Sequence, residues 1–278
     1  MIKNYKVLNR TKELPISLTE LKQYLVFIDV EDTTEDAYLT DLMNVAIKFI
    51  EDYTGKDLTF KKYYAYTKTF LTEDTRFILE GIKVKKCPVE SIDKIEYIDN
   101  SGVLNLIDDD NYYLIPNMDY YSYIKFSEYP SVKDIFNSIQ LTFNAGFGWI
   151  INTISRLEDV VTVETFNDNF LESGQKILVS NIDKAIFNGI FEIDTIVNKT
   201  TFTYKVTVPD GEGAGFTESG NGEFMVINVI PEVFLLTIKR LVLYLYENKG
   251  DCPNSDIMAY LDKFLFSEKI MGFGIYDM

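Results

Sequence analysis

The chain has 278 residues, enough to bury a core without help from disulfides or metals. It carries 43 acidic and 27 basic residues and no histidine, which gives a formal net charge of −16. The lack of histidine excludes Ser-His-Asp and Cys-His catalysis and histidine metal ligation, and the acidic balance argues against a surface that grips nucleic acid.

No targeting or membrane-spanning segment is expected. The N-terminal stretch MIKNYKVLNR lacks the apolar core of a signal peptide, and the most apolar helix candidate, 231–248, is interrupted by Lys239 and Arg240. Cys87 and Cys252 are far apart and each precedes a proline, so we predict two unlinked thiols in a reducing compartment. A disulfide or a metal role is the alternative for this pair.

Two helices are predicted in the first 60 residues. Ser17-Leu-Thr-Glu20 is a capping box that starts a short helix through about Phe27, with Glu20 reaching back to the Ser17 amide. The second helix lies within 33–58 and ends at Gly55. Its apolar positions recur at three- and four-residue steps and form the buried face: Leu39, Leu42, Met43, Ala46, Phe49, Ile50 and Tyr53. The exposed face holds Asp41, Asn44, Lys48 and Asp52.

Short β-type runs dominate the next segment and predict an antiparallel sheet rich in tyrosine. Asn100-Ser-Gly102 and 108–111 are the expected turns. The predicted strands are 60–71, 77–79, 92–98, 104–107, 112–115, 123–126 and 139–143.

Residues 150–228 predict a small all-β unit. Strands are expected near 160–165, 175–179, 189–196 and 200–206, joined by glycine-rich linkers. The unit holds 12 acidic and 5 basic residues, so the acidic character is spread over both parts of the chain.

Helical signals return after Asn228. Pro231 suits the first helical position, and the apolar run from Val233 to Tyr246 predicts a helix that is covered on most sides. A last helix is expected from Ser255 to about Phe266, presenting Ile257, Leu261, Phe264 and Leu265. The tail SEKIMGFGIYDM shows no helical periodicity, so we expect it to be frayed or docked on a partner.

The stretch QLTFNAGFG, 140–148, is a candidate phosphate cradle because a strand is followed by a Gly-x-Gly pair. Such a site needs its glycines to open into a helix, whereas Trp149-Ile-Ile-Asn leads into more β structure. We therefore predict a strand-end turn that uses glycine for positive φ.

Other candidate chemistry is weak in the sequence. The acidic turns at 108–111 and 210–212 lack the spacing of a calcium loop, and a glycosidase carboxylate pair has no local signal. The tyrosines of 60–70 and 111–126 favour packing on a sheet or between subunits over a carbohydrate- or base-stacking platform. We predict no catalytic residue, cofactor or metal, and no enzyme.

The order of several stretches resembles the bacteriophage head-tail connector family, the adaptor proteins that form a ring under the portal. They are SLTELKQYL with TEDAYLTDLMNVAIKFIEDYTGKDL, then CPVESIDKIEYIDNSG, then QLTFNAGFG with IPEVFLLTIKRLVLYLYENKGD. The family's glycine turn runs within a few residues into the last long helix. Here the 79 residues of 150–228 lie between the glycine turn and that helix's segment, and LESGQKILVSN, FNGIFEIDTI and KTTFTYKV resemble a β module of phage structural proteins.

The resemblance implies an α+β fold, with a helical connector-type core and an antiparallel β-sheet interrupted by a small all-β inserted domain. The core would span 1–149 and 229–278, and the insert 150–228. A non-enzymatic virion protein of the head-tail junction is implied, assembled in the bacterial cytoplasm as a ring that is usually twelve-fold. The portal would lie above and a tail or stopper protein below, with double-stranded DNA passing through without specific binding.

In several members the C-terminal segment inserts into the portal. Carried to this chain, that implies portal-binding anchors in the tail, namely Ile270, Met271, Phe273, Ile275 and Tyr276. The alternative function is a virion binding module whose β insert recognises a glycan or another capsid or tail protein, motivated by Phe166, Phe170 and Phe216 as exposed aromatics.

Overall fold

The computed structural model describes residues 2, 4–26, 28–68, 81–115, 121–206, 216–219, 225–248 and 254–268. The expected fold class, a helical core with a sheet, is wrong: strands hold 38% of the protein and helices 27%, and the described residues include four α-helices and a six-stranded barrel. The helical signals are local and strong in the sequence, whereas most of the β structure depends on pairing between distant segments.

Four α-helices gather around one apolar cluster. Leu39, Met43 and Ile50 of the second helix meet Ile238 and Leu241 of the third in this cluster, and all five are fully buried. Local signals set the ends: Ser17 accepts from the Glu20 amide, and Gly55 adopts φ 76°. The helices are α1 Leu18–Leu25, α2 Asp36–Thr54, α3 Glu232–Glu247 and α4 Asn254–Leu265.

The predicted exposed face of α2 is confirmed, with Asp41, Asn44, Lys48 and Asp52 exposed. The predicted apolar face is buried except at Phe49, which is half-buried. The second half of the predicted capping box is wrong, because the Glu20 carboxylate accepts from Lys239 of α3 at 2.6 Å instead. None of the helices in the described ranges is long and apolar enough to cross a membrane.

Two antiparallel sheets share a second apolar cluster, in which Leu141 and Phe143 of one sheet meet Ile82 and Ile124 of the other. The larger sheet has the order β1-β2-β8-β4-β5 and the smaller one β3-β7-β6. The strands are β1 Asn4–Arg10, β2 Lys61–Thr67, β3 Ile82–Val84, β4 Val89–Ile98, β5 Leu104–Leu106, β6 Tyr112–Ile115, β7 Ser122–Phe126 and β8 Ile139–Ala145. The expected strand at 77–79 lies outside the described residues.

A closed barrel follows. Its strands pair in the cyclic order β9-β10-β13-β12-β11-β15, which returns to β9, and β14 pairs with 153–155 of β9 on the edge away from β10. The interior is filled by large side chains such as Phe187, Phe202 and Tyr204, each fully buried. The strands are β9 Gly148–Leu157, β10 Val160–Thr165, β11 Lys176–Ser180, β12 Gly189–Ile196, β13 Thr201–Lys205, β14 Thr217–Ser219 and β15 Val226–Asn228.

The two glycines of QLTFNAGFG lie between the larger sheet and the barrel. Gly146 has φ +126°, as a strand-end turn requires, and a Cβ there would lie 2.7 Å from the Phe60 Cα. Gly148 begins β9 and lies against β15, where a Cβ would come within 2.0 Å of the Ile227 carbonyl oxygen. The glycines therefore permit close backbone packing, and the chain continues into a strand as predicted.

Candidate assembly surface

The predicted portal anchors Ile270, Met271, Phe273, Ile275 and Tyr276 lie outside the described residues. The segment that leads to them is well anchored: Leu261 and Leu265 of α4 are buried in the helical cluster. Just beyond α4, the Glu268 carboxylate lies 3.0 Å from Lys56 Nζ, whose side chain is 5% exposed. The start of the tail is thus held beside the C-terminal end of α2.

The first strand, β1, was not predicted and is the most exposed strand of the larger sheet. Among the described strands it pairs only with β2, and six of its seven residues are exposed. Val7 is 44% and Leu8 50% exposed, which leaves apolar surface uncovered. The register shifts between Val7 and Asn9, so a β-bulge leaves Leu8 without a partner on β2.

The opposite edge of the same sheet is formed by β5, which pairs with β4 alone among the described strands. Leu104 and Leu106 are 50% and 61% exposed. An acidic turn, Asp108 to Asp110, follows directly and its three side chains are exposed. Both edges of the sheet therefore carry exposed apolar side chains beside charged ones.

A buried ionic cluster links α2 to the larger sheet close to β1. Lys61 Nζ lies 2.6 Å from both carboxylate oxygens of Glu51 and 3.0 Å from Asp57 Oδ1. The Tyr63 hydroxyl donates to the same Asp57 oxygen at 2.8 Å, and Lys86 Nζ lies 3.6 Å from it. The cluster is largely buried, since the side chains of Lys61 and Asp57 are only 12% and 3% exposed.

The pKa values of the cluster follow from its burial and charge. Burial alone lowers the pKa of Lys61, but the charges of Asp57 and Glu51 outweigh it and raise the value. Burial, reinforced by the Asp57 charge, raises the pKa of Tyr63. Burial also raises the pKa of Tyr5, on β1, to about 12. These groups keep fixed charge states near neutral pH.

Two clefts open beside this cluster, with volumes of about 420 and 630 Å³. Arg10, Lys48, Glu51 and Lys61 line both of them. Glu51 Oε1 also accepts from the Leu58 amide at 2.9 Å, so both of its oxygens are already bonded within the chain. Glu51 and Asp57 therefore serve as ion-pair partners of Lys61 within the chain.

The acidic turn, the tyrosines and the cysteines considered in the sequence analysis can now be placed in the structure. Asp109 of the acidic turn accepts from the Tyr112 hydroxyl at 2.7 Å, and in the described part of the chain no group of acids or cysteines is arranged to hold a metal ion. On β2, Tyr63 is buried, and Tyr64 bonds to Gln140 at 2.8 Å. The packing interpretation therefore holds for these two tyrosines, whereas Tyr113 on β6 is 53% exposed. Cys87 is fully buried, and Cys252 lies outside the described residues.

The barrel presents two strongly exposed aromatic side chains, Phe166 at 57% and Phe170 at 84%. Their loop lies along the β12–β13 turn, because the Asn169 amide bonds to the Lys199 carbonyl at 2.8 Å. Phe216 does not belong with them: it is half-buried and stacks on Phe187 with ring centroids 4.7 Å apart.

No protein-family model matches the sequence, and no curated protein matches it either. Among solved structures, the chain is similar to parts of gene transfer agent particles. It is 19% identical to a chain in the neck of the empty particle, computed with C6 symmetry, at a TM-score of 0.39, covering 52% of this chain and 72% of that one. It is 17% identical to a chain of the native virion, with a TM-score of 0.40 and the same coverage. A chain in the neck of the native particle, computed with C12 symmetry, is 18% identical at a TM-score of 0.36, covering 51% and 70%.

The sequence did not indicate that both edges of the larger sheet expose apolar side chains. A signal for β1 exists in Tyr5 and Val7, which alternate with Asn4 and Lys6. The adjacent Leu8 breaks this alternation because it occupies the bulge. The acidic turn was noted only as a weak calcium candidate, since its position at a sheet edge depends on pairing with β4.

Proposed function

We propose that this protein is a structural component of a phage neck, which forms a homo-oligomeric ring at the head-tail junction and joins the portal to a tail or stopper protein. The observation that carries the proposal is the larger sheet, whose two edge strands, β1 and β5, expose Val7, Leu8, Leu104 and Leu106. A sheet with two different uncovered edges is suited to head-to-tail assembly. The order of the connector-like motifs in the sequence supports the same function.

The net charge of −16 suits a conduit for DNA. Affinity for DNA comes mainly from lysine and arginine that neutralise phosphates, so a channel poor in such groups lets the genome pass without binding it. The buried lysines Lys61 and Lys56 are each paired with a carboxylate of the same chain, so their charges are neutralised internally. In this proposal the protein has no catalytic role.

The portal contact is assigned to the C-terminal tail with Ile270, Met271, Phe273, Ile275 and Tyr276 as anchors. Support comes from α4, which packs in the helical cluster. Just beyond it, Glu268 pairs with Lys56, so the residue that precedes the tail is held in a fixed place. A firmly held helix followed by an apolar, glycine-punctuated segment is suited to docking on a second protein.

The proposed domain division keeps 1–149 and 229–278 as the ring-forming core and 150–228 as an outward-facing insert. The two ends of the insert are neighbours: Gly148 pairs with Asn228, and the Val229 amide bonds to the Phe147 carbonyl at 3.0 Å. An insertion whose ends lie side by side leaves the host backbone undisturbed.

A second candidate function belongs to the barrel. Phe166 and Phe170 expose aromatic surface on one loop, which favours recognition of a glycan or another virion protein. In that case the core supplies a scaffold, and deletion of the barrel abolishes attachment without affecting the ring.

Sedimentation velocity and negative-stain imaging test the main proposal, with the purified chain alone and with heads that carry the portal but lack this protein. Ring-shaped oligomers in either setting support it. Monomer alone in both settings overturns it.

A further inference from the structure

One side of α3 carries an apolar stripe that faces away from the helical cluster. Val233, Leu236 and Leu243 follow one another at steps of three and seven residues, so they share one side of the helix. Val233 and Leu236 are 38% and 39% exposed, and Leu243 is half-buried. The opposite side of α3 fills the helical cluster with Phe234, Ile238, Leu241 and Leu245. The stripe is therefore apolar surface left over after the chain has packed, and it is costly to keep in water.

A single cation divides this stripe. Arg240 lies between Leu236 and Leu243, and its guanidinium is 4.6 Å from the centre of the Phe264 ring of α4. Among the described residues, no acid forms an ion pair with Arg240. A guanidinium that lies over an aromatic ring keeps N–H donors at its edge for an acceptor from outside. The order along α3 is thus apolar, cationic, apolar.

The exposed face of α2 has the complementary order. Tyr38 and Val45 are 40% and 41% exposed, and the exposed Asp41 lies between them. Within the ranges that the structure describes, Asp41 also forms no ion pair. The order along α2 is therefore apolar, anionic, apolar.

The spacings of the two stripes match when the helices run in opposite directions. From 38 to 41 to 45 the steps are three and four residues, and from 236 to 240 to 243 they are four and three. Antiparallel helices that pack along such stripes form regular side-chain layers. The layers here pair Val45 with Leu236, Asp41 with Arg240, and Tyr38 with Leu243. In a parallel arrangement the unequal steps fall out of register.

These stripes are not used within one chain, because α2 and α3 of the same copy meet through other faces, with Leu39 and Met43 against Ile238 and Leu241. Contacts between like stripes are unfavourable. Two α3 stripes would bring one Arg240 against another, and two α2 stripes would do the same with Asp41. The charges therefore select α2 of one copy and α3 of another.

We propose that α2 of one copy packs antiparallel on α3 of the next, with Asp41 paired to Arg240 between two apolar layers. This inference rests on the proposed ring function and specifies a helix contact between its subunits. Because the contact uses a different surface on each copy, repetition extends the assembly in one direction until the rotation between copies closes a ring.

Two charge reversals test the ion pair, Asp41→Arg and Arg240→Asp. Each alone places like charges in the middle layer, so we expect self-association in sedimentation velocity, or loading on portal-bearing heads, to fall more than about tenfold. An equimolar mixture offers only opposite-charge contacts when the two variants alternate, and we expect assembly to return. A single chain that carries both substitutions should assemble with itself for the same reason. Glu172→Arg, on the exposed barrel surface, changes the net charge as much as Asp41→Arg and should assemble like wild type.

Val45→Glu tests the apolar layers without touching Arg240 or its contact with Phe264. It places a carboxylate against Leu236, so we expect the same loss of assembly. Asn44→Glu is the matched control, because it adds the same charge at the neighbouring exposed position, outside the stripe, and should assemble like wild type. Asp41→Arg and Val45→Glu should keep the wild-type unfolding temperature within a few degrees, since both side chains are exposed.

The outcomes separate this contact from the proposed function. Wild-type rings that persist in Asp41→Arg and Val45→Glu, or a mixture of the two reversals that stays as defective as its components, overturn the helix contact and leave the proposed function standing. Wild-type protein that remains monomeric alone and with portal-bearing heads overturns the proposed function, and this contact with it.

Discussion

The side-chain oxygen of Asn228, the last residue of the barrel, accepts a hydrogen bond from the backbone amide of Phe60, just before β2, at 2.7 Å. The Asn228 amide group donates to Thr11 Oγ1 at 3.1 Å, and Thr11 in turn bonds to the Phe60 carbonyl. All three residues are buried. One side chain thereby ties the end of the barrel to the first two strands of the sheet.

Asn228→Ala is expected to lower the free energy of unfolding by about 1–3 kcal/mol, because the buried Phe60 amide loses its hydrogen bond to the Asn228 oxygen. Urea denaturation followed by circular dichroism measures the loss. Asn44→Ala, at an exposed position of α2, is the control and should change stability by less than about 0.5 kcal/mol. Equal effects at the two positions would contradict the role given to Asn228.

Lys61→Ala should cost about 3–5 kcal/mol, since Glu51 and Asp57 would keep their buried charges without the cation between them. Lys48→Ala is the matched control on the same side of α2. Lys48 and its partner Asp52 are 69% and 55% exposed, so this loss should stay below about 1 kcal/mol. Thermal unfolding of the two variants beside wild type gives the comparison, and similar losses would show that the cluster is not buried.

The ionisation of Glu90 makes the free energy of unfolding depend on pH. Burial raises its pKa above the ordinary value of 4.5, and its Oε2 is buried without a hydrogen-bond partner. The folded protein therefore binds the proton more tightly than the unfolded chain, so this contribution is full below pH 4.5 and is lost as pH rises through the raised pKa.

Glu90→Gln removes the ionisation. We expect the variant to gain stability relative to wild type between pH 4 and pH 8, with the difference growing as pH rises. Denaturant midpoints measured across that range, with Glu172→Gln on the exposed barrel surface as the control, test the sign. A variant that loses stability relative to wild type with rising pH would contradict it.

Replacement of 150–228 by a short glycine linker tests the proposed domain division. Because Phe147 and Val229 are already hydrogen-bonded, the remaining chain can close without rearrangement. We expect the helical circular dichroism signal to persist with reduced stability, since Phe60 loses its contacts with Val226 and Ile150. A chain that no longer folds would show that barrel and core are one unit.

Removal of 270–278 tests the tail. The truncated chain keeps Glu268 and its contact with Lys56, so its unfolding temperature should match that of wild type. Binding to portal-bearing heads should weaken, because the apolar anchors are gone. A lowered unfolding temperature would instead mean that the tail packs on its own core.

The sequence predicted best what neighbouring residues determine. The ends and faces of α2 follow from its periodicity and from Gly55, and β10 and β12 lie where alternation placed them. Pairing between distant residues was not predictable in this way. Strand β9 bonds to β15 through 148–150 and to β10 through 151–157, and this double pairing closes the barrel without any local signal.

The candidate surface shows the same limit. Strands β1 and β5 are far apart in the sequence, and their positions as the two edges of the larger sheet follow only from its pairing order. The ionic cluster likewise depends on Lys61 of β2 reaching Glu51 of α2. The tail anchors were inferred from a resemblance to connector proteins and stay a prediction.

The most direct test of the central claim is a cryo-EM reconstruction of the virion neck, in which this fold is located. We predict a closed ring of copies between portal and tail, with the barrels facing outward. The absence of this fold from the neck, or its presence only as isolated copies elsewhere on the particle, would contradict the account.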